Sequence, residues 1–193
     1  MNADKEKALY KIAEDQGGYF SIAQANSIGI QRNQIYRAVK LATIEQVYHG
    51  VYRLVLFPPN QFEEIYAAVV SMGGKAVVGY ETALYVYGLS DIIPADIHLI
   101  MPRSSSRRRK HVKMHTTKLD DEDITLYNGF RITTVARTIV DVYSAHADKD
   151  QVHLAITQAI SQGMTTSEKL IYQAQKRSRN IHKEIKSLIN HEV

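Results

Sequence analysis

The chain has 193 residues, enough for one large domain or two small ones. It has no Cys, which excludes disulfides, thiolate metal ligands and thiol catalysis. Lys and Arg outnumber Asp and Glu by 24 to 20, and the net charge of +4 permits a nucleic-acid partner without requiring one. No apolar run reaches the roughly 18 residues of a membrane-spanning helix. Residues 1–10 are charged and hold no signal-peptide core, so a soluble, cytoplasmic protein is expected.

The elements follow in chain order. Ala8, Leu9, Ile12 and Ala13 recur at helical spacing and predict a first helix, ended by Gly17 and Gly18. Tyr19 and Phe20 predict a short strand. Ser21 with Gln24 three residues on is a capping-box pattern, and opens a second helix running to about Ser27. Gly29 supplies a turn with positive φ. A third helix is predicted over 31–41, with Ile35, Ala38 and Val39 inward. Strands at 44–47 and 51–54 flank a tight hairpin at Tyr48, His49 and Gly50. A Gly is expected between the third helix and the first of these strands, but Leu41, Ala42 and Thr43 stand there instead.

Pro58, Pro59 and Asn60 stop regular structure and mark a boundary. The expected organisation is a domain at 1–57, a linker at 58–60 and a second domain at 61–193. The second domain reads as a helix at 62–72, a strand at 76–78, a helix at 81–87 and a buried strand at 97–101. A basic turn at 103–109 leads to a strand at 111–117. Asn128-Gly129 between apolar runs is a strong hairpin signal. Helices are then predicted at 134–145 and 149–162, the latter ended by Gly163, and one long helix at 166–190. The fold class is therefore α+β: an N-terminal winged helix-turn-helix followed by a mixed α/β domain with a small sheet.

In a winged helix the third helix enters the major groove, and its early residues meet base edges. Those residues are Gln31, Arg32, Asn33, Gln34, Tyr36, Arg37 and Lys40. Gln and Asn suit adenine and Arg suits guanine. Ser21, and His49 and Arg53 on the wing, complete the candidate DNA contacts. Between Gly17 and Phe57 the cations Arg32, Arg37, Lys40 and Arg53 face one acid, Glu45.

Gly18-Tyr19-Phe20-Ser21, Gln24-Ala25, Gly29-Ile30 and Val47-Tyr48-His49-Gly50-Val51-Tyr52-Arg53 together resemble the N-terminal domain of AbiEi-type antitoxins, of bacterial type IV toxin–antitoxin systems. Beyond the boundary, the similarity continues in Gly79-Tyr80-Glu81-Thr82-Ala83-Leu84 and Tyr87-Gly88-Leu89-Ser90. It extends through Gly129-Phe130-Arg131-Ile132-Thr133 and Ala136-Arg137-Thr138-Ile139-Val140-Asp141. The resemblance implies a transcriptional autorepressor that binds inverted repeats in its own promoter as a monomer or weak dimer. It also implies a second domain that counteracts a nucleotidyltransferase-like toxin, and it calls for no cofactor.

A second basic surface is read at Arg103, Arg107, Arg108, Arg109, Lys110 and Lys113, suited to DNA phosphates or an acidic partner. The acids Asp120, Asp121, Glu122 and Asp123 follow at once and offer partial neutralisation. His111 and His115 lack companion acids at metal-ligand spacing, so no metal site is expected. Arg137 and Asp141 share one helix face and read as a stabilising ion pair. No nucleotide-binding Gly loop and no His-Glu-x-x-His occurs, so no catalytic residues are assigned. Two alternatives stay open: a winged-helix regulator without a toxin, and a nuclease whose metal ligands include Asp120 and Asp123.

Overall fold

The computed structural model describes residues 2–101 and 109–190. The chain divides into two compact units, Met1–Ala76 with Tyr127–Phe130, and Val77–Leu126 with Arg131–Val193.

The first unit begins with α1 (Ala3–Glu14), β1 (Tyr19–Ser21), α2 (Ile22–Ser27) and α3 (Arg32–Lys40). Next come β2 (Ile44–Tyr48), β3 (Val51–Leu54) and α4 (Glu63–Ser71). The strands form an antiparallel sheet in the order β1-β3-β2. Alternation along β1 and β3 gives the sheet two apolar faces. Phe20 and Tyr52 join Leu9, Ala13, Ala25, Ile30, Ile35 and Ala38 in the core under α1, α2 and α3. Tyr19 and Val51 pack with Ala67 and Val70 of α4. That second packing explains why the unit runs beyond Pro58, Pro59 and Asn60: without α4 the other face of the sheet would be left in water.

The second unit carries a sheet ordered β6-β5-β4-β8-β7. Its strands are β4 (Val77–Val78), β5 (Ile97–Ile100), β6 (Val112–His115), β7 (Ile124–Tyr127) and β8 (Phe130–Thr133). β5 lies parallel to β6 and antiparallel to β4, while β4 lies parallel to β8. At the β7–β8 turn Asn128 and Gly129 have φ of 49° and 74°, the two positive values a type I′ hairpin needs. The helices are α5 (Tyr80–Tyr87), α6 (Val135–Ser144), α7 (Lys149–Ser161), α8 (Ser167–Arg177) and α9 (Arg179–Asn190).

The single helix expected at 166–190 is two helices. Ser178 is extended, with φ −168° and ψ 160°. Its hydroxyl oxygen accepts from the Ile181 N–H at 3.2 Å, and its carbonyl accepts from His182 N–H at 3.0 Å. Ser178 thus ends α8 and caps α9, because a serine oxygen satisfies a helix-start donor better than it serves inside a helix.

Candidate nucleic-acid interface

Local chemistry fixes the two-helix element of the first unit. The Ser21 hydroxyl oxygen accepts from Gln24 N–H at 3.2 Å, and Gln24 Oε1 accepts from Ser21 N–H at 2.8 Å. This reciprocal box starts α2 and occupies the Ser21 side chain. Gly29 closes the turn at φ +77°, and Ile30 inserts into the core with no exposed surface. The Ile30 N–H donates to Ala25 carbonyl at 3.0 Å, so the direction of α3 is set by α2.

On α3 the buried residues are Ile35 and Ala38. Arg32, Asn33, Tyr36, Arg37 and Lys40 are exposed. Their spacing, two adjacent pairs and a fifth residue one turn apart, makes a continuous outward stripe. The stripe has no acid, and none of its three cations is paired with a carboxylate among the described residues. Gln31 precedes the helix, and its N–H donates to Gln34 Oε1 at 2.9 Å. Gln34 therefore spends its carbonyl on starting α3. The stripe brings together five of the predicted base readers and sets Gln31 and Gln34 to one side.

The hairpin expected as the wing is β2–β3, paired Ile44↔Leu54, Glu45↔Arg53 and Gln46↔Tyr52, with an irregularity before Tyr48. His49 is exposed at the tip and Gly50 turns at φ +76°. The Gly50 carbonyl accepts from Ile22 N–H at 2.9 Å, tying the tip to the start of α2. Arg53 is placed differently from His49. Its Nη2 meets Glu45 Oε2 at 2.7 Å, its Nη1 donates to the Phe57 carbonyl at 3.0 Å, and its side chain is only 13% exposed. Arg53 holds the wing together across its two strands. The glycine missing after α3 has a stand-in: Ala42 takes the left-handed conformation itself, at φ 55°.

The second basic surface is only partly visible. Arg103, Arg107 and Arg108 lie outside the described residues. Arg109 forms a bridge with Val112, and Lys110 and Lys113 are exposed. Three of the four acids that follow, Asp120, Glu122 and Asp123, have partners from distant helices. Asp123 is fully buried; its Oδ2 accepts from Arg137 Nη1 at 2.8 Å and its Oδ1 from Gln173 Nε2 at 2.9 Å. Arg137 Nε also donates to Asp141 Oδ2 at 2.8 Å. Lys176 meets Asp120 at 3.1 Å and Glu122 at 2.6 Å. These contacts hold Asp120 low and raise Lys176, whose hydrogen bonds with Glu122 and Asp120 favour its charged form. Asp120, Glu122 and Asp123 are held by Arg137 and Lys176, and among the described residues no cluster of three or more acids and histidines is arranged to hold a metal ion.

A further polar cluster escaped the sequence. His98 and His115 lie with ring centroids 5.1 Å apart, and Tyr80 stacks on His115 at 3.7 Å. His98 Nε2 faces Glu81 at 3.1 Å, while His98 Nδ1 and His115 Nε2 are buried with no hydrogen-bond partner among the described residues. Burial lowers both histidines, His115 to about 4. Tyr80 holds a left-handed φ of 54°. A His inside the apolar run Ile97-His98-Leu99-Ile100 was the only sign of this cluster in the sequence.

Comparison with known proteins bears on the first unit most directly. Residues 7–55 match the sequence model of the transcriptional-regulator family of AbiEi antitoxins. Searched against curated proteins, the chain finds no significant match. In fold it is similar to the RV2827C protein of Mycobacterium tuberculosis, with a TM-score of 0.57 at 11% identity. That likeness covers 98% of this chain and 78% of the other. Among the described residues no helix is long and apolar enough to cross a membrane. The stretch from the first helix through the β2–β3 hairpin is thus similar to the transcriptional-regulator family of AbiEi antitoxins.

Proposed function

We propose that this protein represses its own operon by binding inverted repeats in the promoter, and serves as the antitoxin of a type IV system by counteracting a nucleotidyltransferase-like toxin. The observation that carries the DNA half is the stripe Arg32, Asn33, Tyr36, Arg37 and Lys40: exposed, acid-free and aimed outward from a helix whose inner face is locked in the core. Arginine and asparagine there match guanine and adenine edges, and Lys40 matches phosphate. His49 follows the backbone from the wing, and Lys110 and Lys113 add a sequence-blind contribution. The antitoxin half rests on the family of the first unit and assigns the neutralising role to the second.

A promoter–reporter fusion with the cognate toxin under separate control tests both halves. The full chain is expected to lower reporter output and to restore growth when the toxin is induced. Arg32→Ala with Arg37→Ala is expected to release the reporter and leave growth rescue intact. An unchanged reporter with the wild-type chain would contradict autorepression. Failed rescue by a chain that still represses would leave a regulator without a toxin.

A further inference from the structure

The stripe on α3 contains one residue whose chemistry differs from its neighbours. Tyr36 is 48% exposed and lies one turn from both Arg32 and Lys40. Its ring is not part of the core, and among the described residues its hydroxyl has no hydrogen-bond partner. Burial raises the Tyr52 phenol, Tyr36 adds to that rise and Arg32 opposes it, so Tyr36 and Arg32, four residues apart on α3, face the same neighbour. About half of this aromatic side chain stays in water at the centre of a cationic stripe, where a partner can reach it.

A helix lying in the major groove turns the middle of its outward stripe to the groove floor. Arg32, Asn33 and Arg37 have the donors that read guanine and adenine there. A phenol ring offers no bidentate pair. What it offers is an apolar face, and the apolar group that an unmodified base pair presents on that floor is the thymine C5-methyl. We propose that Tyr36 is a specificity-determining residue that recognises a thymine through its methyl group, beside the purines read by its neighbours. The assignment rests on the DNA-binding reading given above and adds to it a particular base.

Methyl deletion in the DNA isolates this contact from every hydrogen bond. Promoter duplexes in which each thymine in turn is replaced by deoxyuridine keep all Watson–Crick pairs and lose one methyl. The wild-type protein is expected to bind one such duplex about fourfold more weakly, the loss that one buried methyl group brings. Tyr36→Ala is expected to bind the thymine and uracil duplexes equally, and Tyr36→Leu to keep part of the preference. Indifference of the wild type to every replacement would overturn the proposal while leaving promoter binding intact. So would the same preference persisting in Tyr36→Ala. Equal binding of the wild type to promoter and scrambled duplexes would instead overturn the DNA-reading assignment itself, and the thymine contact with it.

Discussion

Arg137 and Asp141, four residues apart on α6, meet at 2.8 Å in the interior of the second unit, with side chains 8% and 0% exposed. On a solvated helix this spacing would be worth about 0.2–0.5 kcal/mol. Buried, its removal leaves Asp141 only the longer contact to Arg177 at 3.6 Å and Asp123 only Gln173 and Lys176, and breaking such a buried pair costs up to about 3–5 kcal/mol. Arg137 also holds Asp123, which in turn holds Gln173, so α6, α8 and the start of β7 depend on one guanidinium. Arg137→Ala is expected to lower the unfolding free energy by about 3–5 kcal/mol in a urea titration. A loss under about 1 kcal/mol would show the network to be incidental.

Ala42 offers the opposite sign. It follows α3 at φ 55°, where a Cβ is strained and glycine is not. Ala42→Gly is expected to stabilise the first unit by about 0.5–1 kcal/mol, and Ala42→Val to destabilise it. Thermal unfolding of the two variants checks both directions. A lower melting temperature for Ala42→Gly would contradict the assignment.

The His98 and His115 pair makes stability depend on pH. Burial pushes both imidazoles down, His115 to about 4, while Glu81 and Asp96 oppose the shift on His98, and Lys113 reinforces it on both. Between pH 6.5 and about 4 the unfolded chain therefore binds protons that the folded chain refuses. This stability is complete above pH 6.5 and drains away as the pH falls towards 4, by about 2 kcal/mol for His115 after allowance for its partial exposure. Asp141, raised by burial, works the other way in the acid range. The diagnostic is therefore the difference between wild type and His115→Phe in urea titrations at several pH values. The variant is expected to lose less stability on acidification, and parallel curves would contradict the assignment.

On the wing and α3, two cations should part company. Arg53→Ala removes bonds to Glu45 and the Phe57 carbonyl, and is expected to lower stability by about 1 kcal/mol while leaving the salt slope of DNA binding unchanged. Lys40→Ala is expected to weaken all duplexes alike and to reduce the salt slope by about one. Salt-dependent titrations of the two variants separate a structural arginine from a phosphate contact.

What the sequence made legible was what local chemistry decides. The Ser21 and Gln24 box, the Gly29 turn and the Asn128-Gly129 hairpin each depend on residues within a few positions of one another, and all are present. The stripe on α3 followed from the order of the elements and from the inward spacing of Ile35 and Ala38. Tertiary partners were hidden. Nothing local separates Arg53 from Lys40 as a surface cation, because the Glu45 that claims it comes from the facing strand. Asp123 read as an exposed acid in a charged run, since Gln173 lies 50 residues away in the chain. Ser178 was legible in principle as a cap, but the helical pattern on both sides outweighed one serine. Gln34 was read for its amide, and its use in starting α3 depends on a backbone N–H that no composition displays.

The central claim is that the outward face of α3 reads a particular sequence. A gel-shift titration against the upstream DNA and a scrambled duplex, at two salt concentrations and with wild type and Arg32→Ala, measures it most directly. Tight wild-type binding to the upstream duplex is expected at both salts, with a loss of about 1–3 kcal/mol for Arg32→Ala confined to that duplex. Equal, salt-sensitive binding to both duplexes, with the same loss on each for Arg32→Ala, would contradict it.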